Sequence, residues 1–244
     1  MSVEGKVVVI TGAGSGIGRA TALRLAASGA IPVLGGRRSQ QLAAAVAEIE
    51  GRGGTAAWRA TDVTRREDVD ALVGFACERF GRVDVLVNNA GISPTSRFDA
   101  LRVADWDAMI DVNLRGVLYG IAAVLTLFTR QGSGHIVNVV STAGLRIVPT
   151  MGVYAATKNA VRTVTEALRQ EAGSTLRVTE ISPGFTATEL ASSMTDDAAR
   201  SATQHRMDEL ALSPDAIAKA IAFAVEQPPE VDVGSIVVRP TAQD

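Results

Sequence analysis

The chain has 244 residues, with 24 Lys and Arg against 26 Asp and Glu and a formal net charge of −2. The two signs are interspersed, which excludes the basic footprint of a nucleic-acid binder and the polybasic patch of a membrane-surface protein. Cys77 is the single cysteine, so no internal disulfide can form. No Pro/Ser-rich linker or charge run divides the sequence, and residues 1–244 read as one α/β domain. The opening Met1-Ser2-Val3-Glu4-Gly5-Lys6 runs directly into a strand and lacks the apolar region of a secretory signal. The longest apolar stretch, 116–128, is short for a membrane span. The expectation is a soluble, cytoplasmic protein.

Short apolar runs alternate with helical patterns along the chain. Runs at 6–10, 31–34, 55–59, 83–87, 135–140, 176–181 and 235–238 read as strands. Several are nearly continuous Val, Ile and Leu, as parallel strands covered on both faces require. After the first strand, Ile17, Ala20, Leu23 and Ala27 mark the inward face of a helix. Leu42, Val46 and Ile49 recur at helical spacing. So do Val69, Leu72, Val73, Ala76 and Phe80, behind a capping box of Thr64 and Glu67. Ser213-Pro214 opens the last helix, with Ile217, Ile221, Ala224 and Val225 on one face, and Pro228-Pro229 ends it. Repeated βα units predict an α/β fold with a Rossmann-type doubly wound parallel sheet of about seven strands and helices on both faces. Ligands of such sheets bind at the carboxyl ends of the strands, near the point where strand order reverses.

Three motifs fall at those ends. The first is Thr11-Gly12-Ala13-Gly14-Ser15-Gly16-Ile17-Gly18, between a strand and a helix. Glycine permits the tight turn and a close backbone approach to a pyrophosphate, and the helix N-terminus favours the negative charge. An acidic residue about twenty positions past the glycines would bind the ribose 2′-hydroxyl of NAD. Here the strand ends in Gly35-Gly36-Arg37-Arg38. No carboxylate is there to repel a 2′-phosphate, and two guanidiniums are available to bind one. The charge pattern points to NADP(H); the plainer alternative is a solvated pair of loop arginines.

The second motif is Tyr154-Ala155-Ala156-Thr157-Lys158, which puts Tyr154 and Lys158 on one helix face. A free tyrosine titrates near pH 10, and lowering that by about three units takes roughly 4 kcal/mol. One cation about 4 Å away supplies about that much at an effective dielectric constant of about 20. Lys158 is therefore large enough in effect to make Tyr154 a general acid towards a carbonyl oxygen. The third is Ser141, at the end of the 135–140 strand, where its hydroxyl can hold the same oxygen. Taken alone, a Tyr and a Lys four apart are a surface pair; the glycine turn and Ser141 together raise the chemical reading.

At these residues the chain resembles the short-chain dehydrogenase/reductase family, over essentially its whole length. The glycine turn matches the family's Thr-Gly-x-x-x-Gly-x-Gly. The resemblance implies that Asn88-Asn89-Ala90-Gly91 supports the central strand and faces the adenosine-side ribose, and that Asp62-Val63 contacts the adenine. It implies that Asn113 kinks a helix and holds a water relaying protons to the lysine. Ser141, Tyr154 and Lys158 match the other three members of that catalytic tetrad, and Lys158 also binds the nicotinamide ribose. Pro183-Gly184-Phe185-Thr186-Ala187-Thr188 matches the loop that holds the nicotinamide, with Thr188 near its carboxamide. Gly36 with Arg37 looks like the NADP-preferring subgroup. The Ser141-Thr142-Ala143-Gly144 and Val237-Val238-Arg239-Pro240-Thr241 segments look like bacterial ketoreductases related to 3-hydroxy acid dehydrogenases. The expected activity is NADPH-dependent interconversion of ketones and secondary alcohols. The alternatives are an NAD-linked secondary-alcohol dehydrogenase and a non-catalytic NADP-binding sensor or scaffold.

Other residues read more plainly. His135 and His205 have no metal-ligand spacing and are structural, and no metal is expected. Cys77 lies on the apolar side of its helix, and Trp58 and Trp106 are packing residues. The helix through 114–128 is apolar nearly all round, so the sheet covers only part of it. A partner subunit covering the rest, together with the Tyr154 helix, is expected, in a homotetramer or dimer such as the resemblance implies. The substrate pocket is expected between 145–151, 93–97 and a mobile closing segment at 187–207. Leu145, Ile147, Met151, Phe185, Leu190 and Met194 are its candidate walls. Arg97 and Arg146 are either carboxylate binders or solvated loop arginines.

Overall fold

The first strand, β1 (Val7–Thr11), is Val-Val-Val-Ile-Thr and is buried at every residue. Such a run is stable only where both faces of a sheet are covered. The computed structural model describes residues 3–194 and 197–243. Around β1 stand β2 (Ile31–Gly36), β3 (Ala57–Ala60), β4 (Val85–Asn88), β5 (Gly134–Val139), β6 (Leu176–Pro183) and β7 (Ser235–Val238). All pair in parallel, in the order β3-β2-β1-β4-β5-β6-β7. This is the predicted seven-stranded, Rossmann-type sheet with helices on both sides. Order reverses between β1 and β4, and the cleft opens over their carboxyl ends.

The helices are α1 (Gly16–Ala27), α2 (Ser39–Gly51), α3 (Arg66–Phe80), α4 (Val103–Met109), α5 (Gly116–Gln131), α6 (Gly152–Glu171), α7 (Asp197–Leu210) and α8 (Pro214–Glu226). One face of the sheet buries Leu25, Leu42, Ile49, Ile217 and Ile221 from α1, α2 and α8 against Val8, Ile10 and Leu34. The other buries Leu72, Val117, Val124, Phe128 and Val161 from α3, α5 and α6 against Val7, Val9 and Ile136. Burying each such side chain contributes about 1.5–3 kcal/mol.

Several expectations need correction. The inward face of α1 is Thr21, Ala22, Leu25 and Ala26, with Ile17 and Leu23 partly buried and Ala27 exposed. Small residues bring α1 close to α8 along a different stripe from the one that side-chain size suggests. Thr64 does not cap α3: its N–H and hydroxyl donate to Asp62 Oδ1 at 3.0 and 2.8 Å. The helix begins after Arg65, and Asp68, not Glu67, accepts the Asp62 N–H at 3.0 Å. The short apolar stretch 116–128 belongs to a longer helical run, Val103–Gln131, because α4 and α5 are joined through the π-helical turn Ile110–Arg115. That run is long and apolar enough by composition to cross a membrane, yet Val117, Ile121, Val124 and Phe128 bury against the sheet. Leu118 and Leu125 are 42% and 38% exposed, so α5 is not covered all round within one chain. Met1 and Ser2, and Thr195 and Asp196 of the expected closing segment, lie outside the described residues.

The buried His135 has a structural role. Its Nε2 lies 2.8 Å from Thr179 Oγ1, and burial, with Arg177 and Lys6 nearby, holds the imidazole well below its ordinary pKa. His205 lies at the surface beside Glu209. Burial raises the Cys77 thiol pKa, which keeps it from acting as a nucleophile.

Candidate active site

The glycine turn leaves the end of β1 with Gly12 at φ +65° and Gly16 at φ +52°, a region that side chains other than glycine rarely adopt. At Gly18 the reason is proximity: a Cβ there would lie 2.5 Å from the Gly12 carbonyl oxygen and 2.6 Å from Asn89 Nδ2. Asn89 is the clamp. Its Nδ2 donates to the carbonyls of Thr11 at 2.9 Å and Gly12 at 3.2 Å. The backbone N–H groups of Asn89 and Ala90 donate to Thr11 Oγ1. The loop after β4 therefore fixes the turn after β1. The α1 N-terminus has no side-chain cap and no acidic residue in its first turn, which leaves its N–H groups open to an anion. A cradle this close to the backbone, ending in uncapped helical amides, fits a pyrophosphate.

Towards the β2–β3 side, Val63 packs against Gly116 of α5, where a Cβ would come within 3.0 Å. The Asp62 carboxylate is held by Thr64 within the same turn. Arg37 is exposed and has no ion-pair partner among the described residues. Arg38 is not free, contrary to the expectation of two available guanidiniums. It pairs with Glu189 at 2.7 Å and donates to Ser15 Oγ at 2.9 Å. Nothing in the sequence spacing of residues 15, 38 and 189 signals that contact, because the topology of three separate elements creates it.

Ser141 follows β5 at the start of the 3-10 turn Thr142–Gly144 and accepts the Ala143 N–H at 3.1 Å. The Ser141 side chain faces the Tyr154 hydroxyl and acts to lower its pKa. Tyr154 is 5% exposed, packed among Met109, Ala143, Ile92, Trp106, Met151 and Val153. Trp106 thus packs beside the site. Lys158 is equally buried; its Nζ lies 5.9 Å from the Tyr154 ring centroid and donates to the Val139 carbonyl at 2.9 Å.

The electrostatics differ from the expectation of an acidified phenol. Burial pushes the Tyr154 pKa up, with the Ser141 hydrogen bond opposing, and it lowers Lys158 to about 8. Lys158 Nζ lies 5.9 Å from the centre of the Tyr154 ring, farther than the roughly 4 Å assumed from helix spacing, and desolvation of both groups outweighs their attraction here.

Asn113 sits fully buried in the π turn. It accepts the Ile92 N–H at 2.9 Å and donates to the Ile92 carbonyl at 2.9 Å and to Thr157 Oγ1 at 3.2 Å. The extra residue in a π turn is what bulges this side chain out of register. A second buried relay runs from Asn88 through Asn138 to Thr165, tying β4 and β5 to α6. Asn138, Thr157 and Thr165 escape sequence reading because each looks like an ordinary polar residue in a strand or helix.

The loop after Pro183 and Gly184 is stapled by Ala187 and Leu212: Ala187 N–H donates to the Leu212 carbonyl, and Leu212 N–H to that of Phe185. Thr186 is buried, and Thr188 heads the short 3-10 helix Glu189–Ser193 and packs on Gly16. Gln243 adds a brace with no sequence signal. Its Oε1 accepts the Phe185 N–H at 2.8 Å, its Nε2 donates to Thr142 Oγ1 at 3.1 Å, and a Cβ at Gly184 would collide with it. It thereby joins the turn carrying Ser141 to the loop carrying Thr186 and Thr188.

Gly91 lies beside Asn113 and Lys158, with an added Cβ 3.4 and 3.5 Å from them. Of the candidate walls, Met194 is buried, Met151, Phe185 and Leu190 are half-buried, and Leu145 and Ile147 are exposed. Arg97 pairs with Asp99 in solvent, and Arg146 is exposed.

A short chain dehydrogenase family model matches residues 6–199. An uncharacterized oxidoreductase of Listeria monocytogenes is 45% identical over 246 residues, covering all of this chain and 99% of its own length. Among solved structures, an alcohol dehydrogenase of the archaeon Thermococcus sibiricus, complexed with 5-hydroxy-NADP, superposes with a TM-score of 0.88 at 32% identity and 98% coverage of each chain. A 3-ketoacyl-(acyl-carrier-protein) reductase of Brucella melitensis, complexed with NADH, does so with 0.86 at 34% identity, again over 98% of each.

Proposed function

The chain belongs to the short-chain dehydrogenase family and is an oxidoreductase, and from that premise we propose that it is an NADPH-dependent carbonyl reductase, interconverting ketones and secondary alcohols. The observation that carries the reading is the buried Tyr154, with Ser141 facing its hydroxyl and the buried Lys158 beside its ring, at the carboxyl end of β5. Gly12, Gly14, Ser15, Gly16, Ile17 and Gly18 would hold the pyrophosphate. Arg37 and Arg38 would hold the 2′-phosphate, Asp62 and Val63 the adenine, and Asn89, Ala90 and Gly91 the adenosine-side ribose. Pro183, Gly184, Thr186 and Thr188, with Tyr154 and Lys158, would hold the nicotinamide end. NADPH, when bound, supplies the hydride.

The remaining chemistry falls to the chain. Tyr154 gives its proton to the carbonyl oxygen, and Ser141 positions that oxygen and stabilises its developing charge. A phenol whose pKa burial has raised is protonated at neutral pH, the state a proton donor needs. Lys158, with Nζ 5.9 Å from the centre of the Tyr154 ring, would favour the phenolate left after proton transfer. Asn113, held by Ile92 and Thr157, keeps the Lys158 side of the site in register and supports reprotonation. Apolar walls suit a ketone with aliphatic or aromatic substituents. Pairing with Asp99 weakens the reading of Arg97 as a carboxylate binder.

The cofactor half of the reading rests on the exposed Arg37 and the absence of a carboxylate after β2, since the related structures hold both NADP-type and NAD-type ligands. A panel of ketones assayed with both reduced nucleotides tests it. NADPH is expected to exceed NADH in kcat/KM by at least about tenfold, roughly the worth of one charge-assisted contact. A ratio favouring NADH overturns the preference. Tight NADPH binding with no ketone reduced would make the protein a sensor or scaffold.

The uncovered stripe of Leu118 and Leu125 on α5 supports a homo-oligomer, a tetramer or dimer, with α5 and α6 at the interface. Light scattering at micromolar concentration is expected to give a multiple of the 25.4 kDa chain mass. A monomer contradicts it.

A further inference from the structure

We propose that Glu189 is a built-in competitor for the 2′-phosphate of NADPH, lowering the selectivity of the site by occupying Arg38 until the phosphate displaces it. The inference rests on the NADPH reading above and adds to it a residue that opposes that preference. Arg38 uses one guanidinium nitrogen for Glu189 Oε2 at 2.7 Å and another for Ser15 Oγ at 2.9 Å. The Ser15 hydroxyl also faces Glu189 and helps to lower its pKa. Ser15 is also the N-cap of α1. A guanidinium beside a hydroxyl can hold an anion, and here a carboxylate of the same chain takes the guanidinium.

The backbone brings the two side chains within reach of each other. Thr188 packs on Gly16 of the glycine turn, and the next residue opens the short 3-10 helix. Glu189 is thereby carried to the rim of the nucleotide cleft. The loss of pKa at Glu189, caused first by Arg38, is the electrostatic trace of the contact.

Magnitudes decide the direction of the effect. Arg38 and Glu189 are each about half exposed, and an exposed pair is worth little. A phosphate monoester carries more charge and three acceptor oxygens, so it wins Arg38 when it arrives. The displaced pair is nevertheless subtracted from the affinity of any ligand with a 2′-phosphate. NADH has no group there and loses nothing. Glu189 therefore narrows the gap between the two nucleotides, while Arg37, which has no such partner among the described residues, leaves NADPH ahead.

The test is equilibrium binding by calorimetry, which needs no turnover. The probes are NADPH, NADH, and the nicotinamide-free pair adenosine 2′,5′-bisphosphate and adenosine 5′-monophosphate, which differ only in the 2′-phosphate. Glu189→Gln keeps the size and the polar character but removes the charge. It is expected to tighten NADPH and the bisphosphate by about two- to fivefold, the worth of an exposed ion pair, and to leave NADH and the monophosphate unchanged. In an Arg38→Gln background the same change is expected to have no effect. An unchanged or weakened bisphosphate affinity in Glu189→Gln, with wild-type preference for the bisphosphate intact, overturns the role of Glu189 alone. A wild-type protein that binds the two adenosine nucleotides equally overturns the NADPH reading and this inference with it.

Discussion

Replacing Tyr154 by Phe is expected to remove at least about 10²–10⁴-fold of ketone-reducing turnover, the usual worth of a positioned general acid, and to leave nucleotide affinity within about twofold. Two features make the change a clean one. The ring stays, so the contacts with Met109, Ala143 and Trp106 stay. The lost hydroxyl has Ser141 as its side-chain partner, and Ser141 is only half-buried, so water can replace the bond. Denaturation midpoints should therefore move little. The decisive pair of measurements is kcat/KM for ketone reduction and the Kd of NADPH on one preparation. Turnover above about a tenth of wild type, with affinity unchanged, removes Tyr154 as the proton donor.

How much of this was legible in the sequence depends on the range of the interaction. Val7-Val8-Val9-Ile10 announces a doubly covered strand because burial on both faces leaves no room for polar alternation. Tyr154 and Lys158 are legible as neighbours because helix geometry alone brings them to one face. Asn113 is different. By itself it reads as a polar residue at a helix boundary, the resemblance implies only a kink, and the structure reveals the π turn that carries its amide onto Ile92. Its role rests on the family resemblance. Glu189 and Gln243 are still less visible, since each meets partners more than a hundred residues away across three elements. The largest misjudgement is energetic. Coulomb's law applied to Tyr154 and Lys158 is sound for the pair, but it omits the cost of taking both out of water, and that cost is set by Met109, Ala143 and the helices above them. Burial of a polar pair is a property of the whole fold, so no local spacing reports it.

That same cost yields a second large effect, on stability. Lys158 titrates at about 8 in the folded chain against 10.5 for a free lysine, a penalty on its charged form of about 3 kcal/mol near neutral pH. Lys158→Met keeps much of the side-chain volume and removes the buried charge. It also strands the Val139 carbonyl, which Lys158 Nζ serves at 2.9 Å, at a cost of about 1–2 kcal/mol. The balance predicts a variant more stable than wild type by about 1–2 kcal/mol at pH 7 without nucleotide, or a Tm higher by about 2–6 °C for a chain of this size. It should also lose most turnover, because the proposed support for the Tyr154 phenolate is gone. The pH dependence fixes the cause. Between pH 8 and 10.5 the unfolded chain still holds the lysine proton that the folded chain has released, so this group makes wild-type stability rise with pH across that window. Below pH 8 both states are charged and the contribution is constant at its most unfavourable. The variant lacks the rise, so the two proteins should converge in Tm from pH 8 upward. Thermal melts at pH 7, 8, 9 and 10 decide it. A variant less stable than wild type at pH 7, with a gap that does not change with pH, would mean that Lys158 is well solvated or well paired in the folded chain. The raised phenol and the depressed lysine would then lose their common origin in burial.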